Sequence, residues 1–89
     1  MAMDDDQVFD PMIYDAMREL ATRVGARYVA WADAARTATE AAHWQAEVGR
    51  IGREVRSVDT NSRRAIEAKR AELRAQLAAM PEHAPAFAA

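Results

Sequence analysis

The segment Trp31-Ala-Asp-Ala-Ala-Arg-Thr-Ala-Thr-Glu-Ala-Ala-His-Trp44 decides how this chain folds, because the apolar stripes on its two sides do not line up. At a helical advance of about 100° per residue, Ile13, Met17, Leu20, Val24, Tyr28 and Trp31 share one face, and Ala35, Ala38 and Ala42 extend it with small side chains. Trp44, Val48, Ile51, Val55 and Val58 form a second stripe, which lies roughly 160° around the same wheel. No Gly, Pro, Asn or Asp stands between Thr39 and Glu47. Local composition therefore predicts one long helix over about residues 11–57 that presents opposite faces at its two ends.

The start of that helix is well marked. Asp10 suits the N-cap, and Pro11 suits the first helical position, where a missing N–H costs nothing. Phe9 is placed to pack on Tyr14 as a hydrophobic staple. Gly25, Gly49 and Gly52 weaken the helix by roughly 1 kcal/mol each without having to break it. The strongest turn signal is Asp59-Thr60-Asn61-Ser62, whose side chains bond readily to nearby backbone. A second helix follows over about residues 62–80, and Pro81 and Pro85 stop it.

The second helix carries Ile66, Leu73, Leu77 and Met80 on one face. Folding at 59–62 sets Val58 against Ile66, Ile51 against Leu73 and Trp44 against Met80. The expected fold is thus all-α: a single small domain over 1–89, built as a coiled-coil-like helical hairpin. Residues 1–9 form an acidic flexible lead and 81–89 a flexible tail. The hairpin core is Trp44, Val48, Ile51, Val55, Val58, Ile66, Leu73, Leu77 and Met80. Ile13, Met17, Leu20, Val24, Tyr28 and Trp31 are left without a mate in the chain. Such a stripe is most often ordinary core, here of a bundle completed by dimerisation or by a partner.

Composition points the same way. The chain has 89 residues, and 22 of its 45 apolar residues are alanine, so a lone core is thin. There is no cysteine, which excludes disulfides and thiolate metal sites. The acidic start, Met1-Ala-Met-Asp-Asp-Asp6, lacks the apolar run of a signal peptide, and no stretch suits a membrane span, so a cytoplasmic location is the default. Residues 1–19 carry a net charge of −5 and residues 50–74 a net +4. The basic run Arg50, Arg53, Arg56, Arg63, Arg64, Lys69, Arg70 and Arg74 reads as a solvated face rather than a nucleic-acid footprint, because dedicated binders are far more basic overall.

Chemistry is sparse. Glu40 and His43 make a Glu-x-x-His pair, half of a ferritin-like metal site, but no second copy completes it. Ser57 and Ser62 flank the turn and suit capping. Asp4, Asp5 and Asp6 lack the spacing of a calcium loop. No catalytic residues, metal or cofactor are assigned, and an enzyme is not expected. The profile suggests a small protein-binding module of the antitoxin, immunity, inhibitor or chaperone kind, docking through the α-helical stripe from Ile13 to Trp31 onto a larger partner. A homo-oligomeric structural bundle is the competing expectation, and a dimeric metal site at Glu40 and His43 comes behind it.

Overall fold

A computed structural model describes residues 9–88 of the chain. They form three helices, α1 (Pro11–Asp33), α2 (Ala38–Arg56) and α3 (Arg63–Ala79), and no strand occurs among the described residues. The all-α class is as expected, but the long helix is two helices.

The break falls at residues 34–37. Thr37 is extended (φ −138°, ψ 158°), and its hydroxyl accepts a hydrogen bond from the Glu40 backbone N–H at 3.1 Å. The Glu40 carboxylate reaches back to accept from the Arg36 backbone N–H at 3.2 Å. This is a capping-box arrangement, Ser/Thr-x-x-Glu, with the return bond one residue upstream of its usual donor. It starts α2 afresh, and no glycine or proline is required. The phase jump between the stripes now has its cause. They lie on separate helices that fold toward each other.

The other ends follow their sequence signals closely. Asp10 caps α1 by accepting from the Met12 N–H at 2.9 Å, and the Phe9 and Tyr14 rings lie 5.8 Å apart. Asp59 accepts from the Asn61 N–H at 2.9 Å, and Ser62 caps α3 by accepting from the Ala65 N–H at 3.1 Å.

α1 packs along both other helices. It runs antiparallel to α2, since Tyr28 and Trp31 of its last turns meet Trp44 near the start of α2. It runs parallel to α3: Arg63 faces Asp10 at one end, and Gln76 donates to the Tyr28 hydroxyl at 3.0 Å toward the other. Ile13, Met17, Val24, Tyr28 and Trp31 are buried, and Leu20 is half-buried against the same core. The expectation of an unpartnered, exposed stripe is therefore corrected. The chain covers that face itself, because the turn at 34–37 brings α2 back along it. Trp44, Ile51, Val55, Ile66 and Leu73 are buried with it, while Val48, Val58, Leu77 and Met80 pack at the margin. The expected hairpin seam between the second stripe and the last helix is corrected: α2 and α3 each pack on α1, which lies between them, far more than on each other.

The segment after α3, expected to be a flexible tail, lies against the fold. Arg27 donates to the carbonyls of Met80 and Pro81 at 3.2 and 3.0 Å, and the Trp31 indole donates to the Glu82 carbonyl at 3.3 Å. Phe87 packs beside His43 and Trp44, with ring centroids 5.1 and 6.3 Å away. The expected acidic lead falls on residues that, up to Val8, lie outside the described ones.

Two outcomes follow for denaturation. Thr37→Ala is expected to lower the unfolding free energy by about 1 kcal/mol, the cost of a lost N-cap. Leu73→Ala, at a fully buried site, should cost about 2–5 kcal/mol. Urea titration followed by circular dichroism measures both.

Candidate functional site

Two surface features stand out once the helices are placed. The first is an open groove of about 680 Å³ between α1 and α2. Its α1 wall is Tyr14, Arg18, Ala21, Thr22, Gly25 and Ala26; its α2 wall is Val48, Ile51, Gly52, Val55 and Arg56. Helix geometry explains its position. On α1 these residues lie on the flank turned away from Arg27, which points toward the end of α3. Small side chains keep the flank shallow, and Val48, Ile51 and Val55 give it an apolar floor.

The glycines in this groove are unusual. All three glycines of the chain sit inside helices, and none has positive φ. A Cβ at Gly25 would meet nothing within 4 Å, and one at Gly52 would meet only the Arg56 Nη1 at 3.2 Å, the mobile end of a long side chain. Backbone geometry requires neither glycine; the space at Gly25 is open, while the Arg56 guanidinium covers the bare backbone at Gly52, although a mid-helix glycine costs about 1 kcal/mol relative to alanine.

The second feature is the end where the 34–37 turn meets the C-terminal segment. A cavity of about 990 Å³ there is lined by Trp31, Arg36, Glu40, Glu82, His83 and Phe87, among others. Trp31 and Trp44 meet edge to face at 4.9 Å, and His43 stands edge-on to Trp44 at 4.5 Å. Glu40 is engaged by its cap and by the Trp44 indole N–H, which donates to it at 3.3 Å. The Glu-x-x-His pair thus has a structural role at its carboxylate. No group of three or more metal-ligating side chains occurs among the described residues.

The basic run divides. Arg50 reaches Glu47 and, at 2.6 Å, Glu54; Lys69 reaches Glu72 and, at 2.6 Å, Glu54, tying α3 to α2. Hydrogen bonds from Lys69 and then Arg50 hold the Glu54 carboxyl below its ordinary range, outweighing a smaller desolvation effect. Burial pulls the Lys69 ammonium down, but its bonds to Glu54 and Glu72 together leave it raised. Arg63 pairs with Asp10 at 3.7 Å. Arg53 and Arg56 are exposed and form no ion pair among the described residues.

The residues expected to bind a partner are, Leu20 apart, buried in the core, and Leu20 is half-buried against it. Docking through that stripe would require the helices to separate. The residues expected to form a hairpin core lie in the core or at its margin, packed mainly around α1 rather than paired between α2 and α3. The groove has no short motif in the sequence. Its available signal was a pair of helix-interior glycines, Gly25 and Gly52, that end nothing and turn nothing.

Among the described residues no helix is long and apolar enough to cross a membrane. No protein-family model, curated protein or solved structure matches the chain.

Gly25→Ala is expected to stabilise the isolated chain by up to about 1 kcal/mol, because the added Cβ enters open space. Thermal melts read this directly. The Glu54 carboxylate stabilises the fold above its unfolded-state pKa, and that contribution is lost as pH falls through the lower folded-state value. The loss is expected to be under about 1 kcal/mol for so exposed a pair. It should be smaller still in Glu54→Gln when stability is compared between neutral and acidic pH.

Proposed function

We propose that this chain is a protein-binding module that blocks or escorts a larger partner, and that it docks through the α1–α2 groove. The supporting observation is the groove itself: an apolar-floored flank with a helix-interior glycine at Gly25 that the chain's own packing does not use. A bare backbone at such a position permits close approach by another element, and a groove between two helices suits an amphipathic helix lying along it. Blocking or escorting requires occupancy of a surface and no reacting group, which fits a module of this size.

The α1 stripe belongs to the scaffold in this reading, and the flank beside it makes the contact. Helix-lined grooves bind through a few anchors placed against a closely packed floor. Here the floor is Val48, Ile51 and Val55, and the approach is over Gly25.

The test compares Gly25→Trp with Ala75→Trp, an exposed control on α3. Both variants are expected to keep the helical circular dichroism of the parent. After expression in the native host, the parent and Ala75→Trp should purify with the same stoichiometric protein companion, and Gly25→Trp should purify alone. A companion retained equally by both variants would overturn the reading. A pure chain that is a stable dimer with no companion, by light scattering, would favour a homo-oligomeric bundle instead.

A further inference from the structure

The groove is chemically lopsided, and this bears on what it takes. Arg18 and Arg56 border it, and no acidic side chain lines it. Both arginines are exposed, and neither forms an ion pair among the described residues. Arg56 lies over the bare backbone of Gly52 with its Nη1 within 3.2 Å of where a Cβ would stand, so it rests on the groove without a counter-charge. The antiparallel packing of α1 and α2 sets the two cations at one end. Arg18 lies in the second turn of α1, and Arg56 is the last residue of α2.

We infer that the partner segment is an amphipathic helix with an apolar face and an acidic end, seated with its carboxylates between Arg18 and Arg56. This rests on the groove being the docking surface. Three observations favour this occupant. Two guanidiniums bordering an apolar floor attract a carboxylate pair and reject a cationic segment, which would leave like charges face to face. The apolar floor of Val48, Ile51 and Val55 provides nothing for a nucleic-acid backbone to contact beyond the two arginines. A second copy docking by the same face would bring two further arginines and no acid from the groove lining.

The experiment uses the full chain and two synthetic helical peptides with the same alanine- and leucine-lined face, one ending in a glutamate pair and its twin in a lysine pair. Amide NMR resonances of Gly25 and Gly52 report the groove. The glutamate peptide is expected to shift both and to bind about tenfold more tightly than its twin, the sum of two exposed charge pairs. Arg18→Glu combined with Arg56→Glu should reverse that preference while the helical signal stays unchanged.

Equal binding of the two peptides at Gly25 and Gly52 overturns the acidic partner and leaves the groove reading intact. No shift at either glycine with either peptide overturns both. A short DNA duplex that shifts these amides when neither peptide does, or self-association that buries them, also overturns the inference.

Discussion

The turn at residues 34–37 is the constraint on which the rest of the structure depends. Were Thr37 and Glu40 not to start a new helix, the two stripes would point away from each other and the first would be stranded in water. With the break in place, α1 gains α2 along one side, and the chain that follows can lay α3 along the other. One hydroxyl and one carboxylate, each accepting a single backbone N–H, set the direction of more than half the chain. Their local energies are modest, about 1 kcal/mol for a cap. What they direct, the covering of Met17, Val24, Tyr28 and Trp31, is far larger, since each large apolar side chain contributes about 1.5–3 kcal/mol on burial.

Helix identity, the α1 start and the 59–62 turn were legible in the sequence, because each rests on a strong local signal: Asp10 with Pro11, the Phe9 staple, and a run of turn formers before Ser62. The 34–37 break is hard to read from the sequence, because residues 34–47 contain no glycine, proline, asparagine or aspartate. Thr37-Ala-Thr-Glu40 is a start signal rather than a stop signal, and Ala34 and Ala35 just before it favour helix. The phase jump between stripes was the stronger clue. Two incompatible faces on one proposed helix are better explained by two helices.

The candidate site was harder to foresee for a related reason. A groove is a property of the space between elements, so no short motif encodes it. Ala21, Gly25 and Ala26 read in sequence as helix filler or mild weakness. Only when α2 is laid antiparallel beside α1 do they line up with Gly52 to make one surface. Arg56, which read as part of a solvated basic run, then separates from Arg50 and Lys69, whose charges are met within the chain.

The meeting of Trp31 and Trp44 at 4.9 Å, nearly at right angles, has an optical consequence. These are the only two indoles in the chain, and they sit on opposite sides of the 34–37 turn with Tyr28 and Phe87 nearby. Their electronic transitions couple only when that turn is closed, so the molecule contains its own spectroscopic gauge of whether its first two helices are together.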